Sequence, residues 1–277
     1  MSIDLAAYFA RIGYTGARTA TLQALREIVS AHTRAIPFEN LDPLSGRPVE
    51  LSIAALQSKL VHERRGGYCF EHNLLLADVL RQIGFEVTGL AARVLWNAPG
   101  AVLPRTHMLL CVRLDGHAHI VDVGFGGLTL TGVLRLEPGL EQVTPHEPFR
   151  LLREADEYIL QAQVLERWRA LYRFDLQAQA AVDYEPVNWY LSTHPRSKFV
   201  TTLVAARAEP GRRFALLNNR LSVHEVNGLS TRSVLGSAAE LRAVLENEFR
   251  IDVPRSACME EALERIAATR EPREAAG

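Results

Sequence analysis

Cysteine is scarce in this chain: among its 277 residues it occurs three times, at Cys69, Cys111 and Cys258. An odd number at such wide spacing describes neither a disulfide framework nor a zinc ribbon, so each is expected to be a free thiol. Charge of one sign is missing too, since 31 lysines and arginines face 32 aspartates and glutamates. No overall field therefore draws the chain to nucleic acid or another polyanion. No stretch approaches about 18 uninterrupted apolar residues. The opening segment, Met1 to Arg11, carries Asp4 and lacks the apolar core of a signal peptide. A cytoplasmic protein with no membrane anchor is expected. Internal repeats, low-complexity segments and metal-ligand clusters are lacking as well, so no bound metal is expected.

What is present reads as an ordinary globular chain, 48% hydrophobic and 23% charged, long enough for two or three packed subdomains. The first third has helical periodicity. Leu22, Leu25, Ile28 and Val29 repeat at helical spacing, and Ile53, Leu56 and Leu60 do so after Ser52. From about residue 86 the pattern changes to short apolar or alternating runs, read as antiparallel strands over Glu86–Val94, His107–Leu114, His119–Val123, Tyr158–Leu165 and Leu171–Leu176. The last third mixes both. Strands are expected over Arg213–Leu217, Leu221–Val226 and Leu229–Val234, joined by turns at Asn218-Asn219 and Asn227-Gly228. Two closing helices follow, one with Ser237 and Glu240 at capping-box spacing and one carrying Met259, Leu263 and Ile266. The charged tail after Thr269 is expected to fray.

One cysteine stands apart. Arg64-Arg65-Gly66-Gly67-Tyr68-Cys69-Phe70-Glu71 runs into an apolar helical stretch that stops at Gly84, placing Cys69 at a helix N-terminus. The free backbone N–H groups and the positive dipole end favour thiolate there, with Arg64 and Arg65 adding positive charge, while the Gly66-Gly67 pair lets the backbone bend and approach a ligand. The same position also suits a small buried hydrophobe that starts a core helix. A partner base has to decide between the two.

His107–Leu114 and His117–Gly124 flank Asp115-Gly116 as a hairpin with a two-residue turn. That register pairs Leu114 with His117 and, counting back, Leu109 with Asp122 and His107 with Gly124. His107 and Asp122 then become diagonal neighbours on one face, roughly 7 to 8 Å apart along the backbone and within reach of an imidazole–carboxylate hydrogen bond. Asp122 is a lone charge in an apolar strand and needs a donor. A nucleophile, base and orienter of the catalytic-triad kind follows if the free ring nitrogen faces Cys69. His72, three residues after Cys69 on the same helix, is the rival base. His117 and His119 are expected in solvent at the hairpin tip, and Cys111 and Cys258 as packed thiols.

With these residues in place, Ile36-Pro37-Phe38-Glu39-Asn40-Leu41, the Arg64–Glu71 segment, Thr106-His107-Met108 and Val121-Asp122-Val123-Gly124-Phe125-Gly126 together resemble an arylamine N-acetyltransferase of bacterial type. Asn188-Trp189-Tyr190, Ser192-Thr193-His194-Pro195 and Leu221-Ser222-Val223-His224 extend the resemblance over nearly the whole chain. It implies an α+β fold: a helical bundle over 1–86 carrying the nucleophile, an antiparallel β-barrel over 87–192 carrying His and Asp, and an α/β lid over 193–277, around a papain- or transglutaminase-like site. It assigns Cys69 as nucleophile, His107 as base and Asp122 as orienter. It further implies that Gly124, Phe125, Gly126 and Gly127 lie near the pyrophosphate of coenzyme A. Phe38, Phe125 and Phe199 would line the acceptor pocket, and Glu39 and Arg64 would form a supporting ion pair.

The implied reaction is ping-pong transfer of an acetyl group from acetyl-coenzyme A, a co-substrate rather than a resident cofactor, through acetyl-Cys69 to an aromatic amine or hydrazine. A homo-oligomer stays open. The same triad also suits a thiol hydrolase or an amide synthase, and an inert Cys69 would leave a small-molecule binding module.

Overall fold

The computed structural model describes residues 2–98, 100, 102–226 and 228–269. Helix α1 (Leu5–Ile12) starts on Asp4, which accepts from the backbone of Ala6 and Ala7, and α2 (Leu22–Ala35) starts on Thr21, which accepts from Ala24. Tyr8, Phe9 and Ile12 on α1 and Leu25, Ile28 and Val29 on α2 recur at helical spacing and are buried together. The chain then passes through β1 (Phe38–Glu39), α3 (Leu41–Leu44) and the Ser52-capped α4 (Ile53–Leu56) into a π-helical turn over Gln57–His62. Helix α5 (Cys69–Ile83) closes this part at Gly84, whose φ of 105° gives the left-handed cap glycine adopts without strain.

Eight strands follow: β2 (Glu86–Val94), β3 (Arg105–Leu114), β4 (His117–Val121), β5 (Leu134–Arg135), β6 (Glu141–Gln142), β7 (Phe149–Glu154), β8 (Glu157–Val164) and β9 (Arg167–Phe174). They form one antiparallel sheet in the order β5-β4-β3-β2-β9-β8-β7-β6, curled into a nearly closed barrel around Leu90, Leu109, Ile120, Phe149, Leu160 and Leu171. The other face of β3, through Met108, Leu110 and Val112, packs on the helical core with Leu75, Leu76 and Val79 of α5. The β3–β4 hairpin has the expected register, from Leu114 opposite His117 to Leu110 opposite Val121. Asp115 and Gly116 both have positive φ, 50° and 75°, as a twist-matched two-residue turn requires.

A 3-10 turn over Ala181–Tyr184 leads to α6 (Glu185–Thr193) and α7 (Lys198–Thr201), then β10 (Val204–Glu209), β11 (Arg212–Leu217), β12 (Arg220–Glu225) and β13 (Ser230–Val234), and finally α8 (Ala238–Asn247) and α9 (Ala257–Ala267). The second sheet runs β1-β10-β11-β12-β13, so the two residues of β1 join strands from the far end of the chain. Phe214 and Leu216 from this sheet pack with Leu241, Leu245, Phe249, Met259 and Leu263 from α8 and α9. Among the described residues, no helix is long and apolar enough to cross a membrane.

Several details differ from the sequence reading. Strand β4 ends at Val121, before Asp122, and β9 begins at Arg167 rather than Leu171. Strands β1, β5, β6, β7 and β10 were not anticipated. Helix α6 crosses the boundary expected between residues 192 and 193. Cys258 is exposed rather than packed, while His119 is buried opposite Val112 rather than in solvent. The expected Asn227-Gly228 turn includes Asn227, which lies outside the described residues, as does the tail after Thr269.

Candidate active site

Cys69 opens α5 with 4% of its surface exposed. Its Sγ lies 3.7 Å from the Thr106 carbonyl oxygen at the start of β3. The turn ahead of it is locked by Glu71, which accepts from the Tyr68 N–H at 2.9 Å and pairs with Lys59 at 2.6 Å. The two preceding glycines serve the chain's own packing. A Cβ on Gly66 would collide with the Pro37 carbonyl oxygen, and one on Gly67 would stand 2.6 Å from Glu71 Oε2. Gly124 does the same on the opposite side, where a Cβ would meet Cys69 Cα at 2.7 Å. Only bare backbone lets the β4 exit lie this close to the first turn of α5.

His107 on β3 and Asp122 just after β4 meet as the hairpin register dictates, with Nε2 to Oδ2 at 2.7 Å. Both are buried. The second carboxylate oxygen, Oδ1, accepts from Gly124 N–H at 3.0 Å and Asn73 Nδ2 at 3.2 Å. Asn73 is the residue that sequence reasoning missed. Its amide also donates to the Cys69 and Met108 carbonyls, at 3.1 and 2.8 Å, joining α5, β3 and the Asp122 carboxylate. A polar side chain at the head of the run Leu74-Leu75-Leu76-Ala77 was the available signal.

Burial disfavours a charged imidazole. The Asp122 charge, its hydrogen bond and the hydrogen-bonded Cys69 side chain outweigh this and raise His107 to about 10. For Asp122 burial likewise favours the neutral form, and His107, Gly124 N–H and Asn73 hold it below the usual carboxylate range. With Nε2 turned to Asp122, Nδ1 is the ring atom left for Cys69. Tyr172 lies against the His107 ring, centroids 4.9 Å apart. Its buried hydroxyl has no well-formed hydrogen bond, and burial together with the Asp122 charge pushes it well above its ordinary value.

The rival base sits in a different network. His72 Nε2 lies 3.1 Å from the Pro37 carbonyl oxygen, and its Nδ1 lies 2.9 Å from His32 Nε2. The Tyr8 hydroxyl reaches His32 Nδ1 at 2.8 Å. One proton assignment satisfies the whole chain: Tyr8 O–H to His32, His32 N–H to His72, His72 N–H to the carbonyl. Burial keeps both rings neutral, holding His72 down at about 4 and His32 well below its ordinary value. Both His72 nitrogens are therefore engaged away from Cys69.

The expected ion pair needs one correction: Arg65, not Arg64, pairs with Glu39, at 2.7 Å. Arg64 is exposed and takes a positive φ of 52°, which turns the following residue inward. Arg65 is 2% exposed and also reaches Asp42 at 3.3 Å; Asp42 in turn pairs with Lys59 at 2.6 Å and with Arg47. Glu39 Oε2 accepts from Leu41 N–H at 2.6 Å. The buried acids Glu39, Asp42 and Glu71 are thus answered by buried Arg65, half-buried Lys59 and Arg47.

Aromatic rings converge on the same place. Phe125 meets His107 edge-on at 5.2 Å, Phe38 lies 6.1 Å from Phe199, and Phe199 lies 5.4 Å from Tyr68. Gly126, with φ of 94°, passes beside the Phe38 ring, where a Cβ would touch it at 3.7 Å. Gly127 is exposed. Asn40 holds Phe199 in place by donating to the Phe199 and Thr202 carbonyls, each at 2.7 Å, and accepting from Val204 N–H at 2.7 Å. Among the described residues, no group of three or more His, Cys, Asp or Glu is placed to hold a metal ion.

Comparisons with known proteins point one way. A family model described as N-acetyltransferase matches residues 21–258. The arylamine N-acetyltransferase of Mycobacterium tuberculosis is 49% identical over 258 residues, covering 91% of this chain and 91% of that protein. Its counterpart in Escherichia coli (strain K12) is 41% identical over 247 residues, covering 89% and 88%. The structure of Mycobacterium marinum arylamine N-acetyltransferase in complex with CoA matches with a TM-score of 0.91 and 45% identity, covering 95% of this chain and 99% of that one.

Proposed function

The chain belongs to the arylamine N-acetyltransferase family, and from that premise we propose that it carries acetyl groups from acetyl-coenzyme A to arylamines or arylhydrazines by a ping-pong reaction through acetyl-Cys69. The observation that carries this reading is the buried His107–Asp122 pair at 2.7 Å, with the imidazole raised to about 10 beside Cys69. An imidazolium that persists at neutral pH is the counter-ion a thiolate needs.

In the first half-reaction the Cys69 sulfur attacks the thioester carbonyl carbon. The backbone N–H of Cys69, at a helix start with no partner one turn back, faces the oxyanion that forms. The carbonyl re-forms, the sulfur–carbon bond to coenzyme A breaks, and His107 Nδ1 gives its proton to the departing thiolate. In the second half the amine attacks acetyl-Cys69, the now neutral His107 accepts the amine proton, and the Cys69 thiolate leaves. Asp122 keeps Nε2 protonated throughout. Phe38, Phe125 and Phe199 offer flat apolar faces to an aryl ring, and the Gly124–Gly127 loop offers backbone N–H groups to the coenzyme pyrophosphate. Glu39 and Arg65 hold the loop ahead of the nucleophile.

We read the chain as three regions, 1–86, 87–192 and 193–277, meeting at this site. We place it in the cytoplasm, where a free thiol stays reduced. Incubation with acetyl-coenzyme A alone should add one acetyl group to the intact protein, mapped to Cys69, and an arylamine should discharge it. Cys69→Ala should fold and do neither. Acetylation elsewhere, or turnover by Cys69→Ala, would end the proposal.

A further inference from the structure

The loop from Gly124 to Thr129 has no strand of its own, yet it places Phe125 on His107 and Gly126 against Phe38. It holds itself together through Thr129, whose N–H donates to the Gly126 carbonyl at 3.0 Å and whose Oγ1 accepts from Gly126 N–H at 2.8 Å. The two residues therefore move as a unit. What anchors that unit comes from the second sheet. Arg213, the second residue of β11 and 3% exposed, donates from Nη2 to the Thr129 carbonyl at 3.0 Å and reaches the Gly127 carbonyl from Nη1 at 3.5 Å.

The same guanidinium grips Glu147 at 2.6 Å from Nη2 and 2.9 Å from Nε, so its orientation is fixed from two sides. His146, next to Glu147, continues the joint: Nδ1 lies 3.0 Å from Thr131 Oγ1, and Nε2 lies 2.8 Å from the Glu209 carbonyl at the end of β10. A guanidinium is a poor choice for filling buried space, where an apolar side chain would serve. What it adds is a planar fork that bonds two loop carbonyls and a carboxylate together.

We propose that Arg213 is a positioning residue for the thioester co-substrate: by holding the Gly127 and Thr129 carbonyls, the second sheet sets the affinity for coenzyme A without touching the reacting atoms. The inference rests on reading the glycine loop as a coenzyme contact. Removing the fork lets the loop drift from the Phe38 and His107 rings, while the triad keeps its own bonds through Asn73 and Gly124.

The test uses the full chain, with coenzyme A titrated calorimetrically, the KM for acetyl-coenzyme A measured, and the rate of Cys69 alkylation by iodoacetamide followed in parallel. Arg213→Met should weaken coenzyme A binding by about tenfold, as expected for losing charge-assisted hydrogen bonds, and raise KM with it. Cys69 alkylation should stay within about twofold, and Arg213→Lys should recover part of the affinity because an ammonium reaches Glu147 and one carbonyl. A folded Arg213→Met with wild-type affinity overturns the proposal, as does alkylation falling in step with binding. Should Arg213→Met not fold, Glu147→Ala decides: it frees one side of the fork and should weaken binding by about threefold, and unchanged affinity overturns the idea. Wild-type protein that binds no coenzyme A would instead sink the coenzyme reading of the loop.

Discussion

Asp122→Asn tests the chemistry with the smallest change of shape. Asp122 Oδ1 already accepts two N–H donors, from Gly124 at 3.0 Å and Asn73 at 3.2 Å. An asparagine must keep its carbonyl oxygen there, because turning its amide around would set N–H against N–H. Its NH2 group therefore faces His107, and Nε2 changes from donor to acceptor. The ring proton moves to Nδ1, the atom beside Cys69, where it blocks proton acceptance. In the unaltered protein His107 is raised from 6.5 to about 10, a difference on the order of 5 kcal/mol between its two protonation states. Cys69 supplies part of that elevation, so the share lost with the Asp122 charge should slow the thiol by about 10³-fold, less than the roughly 10⁴-fold fall that the wrong tautomer causes in a serine triad. The assay is the rate of iodoacetamide alkylation of Cys69 at pH 7, followed by intact mass, with single-turnover acetylation beside it. Circular dichroism should show an intact fold. An asparagine variant reacting within tenfold of wild type would refute the argument.

Three further outcomes follow from the same geometry. Arg65→Met leaves Glu39 and Asp42 short of a buried partner and should cost about 3–5 kcal/mol in denaturant unfolding, whereas Arg64→Ala, at an exposed site, should stay within about 0.5 kcal/mol; equal effects would contradict the Arg65 assignment. His72 is depressed from 6.5 to about 4, so the unfolded chain takes up a proton that the fold refuses, and stability should fall as pH drops through that window. The melting temperature should be lower at pH 5 than at pH 7, with a smaller drop in His72→Gln, and an identical drop in both would count against it. His107 has the opposite sign, its contribution being complete below 6.5 and lost as pH rises through about 10. Gly124→Ala drives a methyl to 2.7 Å from Cys69 Cα and should cost about 1–3 kcal/mol while slowing alkylation; a neutral result would mean that the β4 exit and α5 are not held together.

The sequence made legible what depends on local rules. Asp115-Gly116 is a strong hairpin signal, and an even loop puts His107 and Asp122 on one face, so their meeting followed from counting. The entrance of α5 and its stop at Gly84 were written in the glycines and the apolar run between them. What escaped depends on distant partners. Strand β10, Val-Ala-Ala-Arg-Ala-Glu, shows little alternation because it lies between β1 and β11 with helices behind, and β1 is too short to carry any period. Strand β9 starts early because Arg167, Trp168 and Arg169 pair with Val164, Gln163 and Ala162, a register that composition does not reveal. The choice between Arg64 and Arg65 turned on one residue's backbone angle, which adjacent like charges cannot disclose.

A strand of only two residues, β1, ties this site to the far end of the chain. A chain leaves the ribosome amino end first, so Cys69, His107 and Asp122 are all made before Ala206, the residue that Phe38 pairs with across β1 and β10. Until that contact closes, Phe38 has its bridge to Gly67 but not its second strand partner, however early the thiol meets its imidazole. Such long-range closure is slow compared with forming a helix. A product cut short before β10 would carry all three residues proposed to react and still lack the strand that pairs with Phe38 from the second sheet.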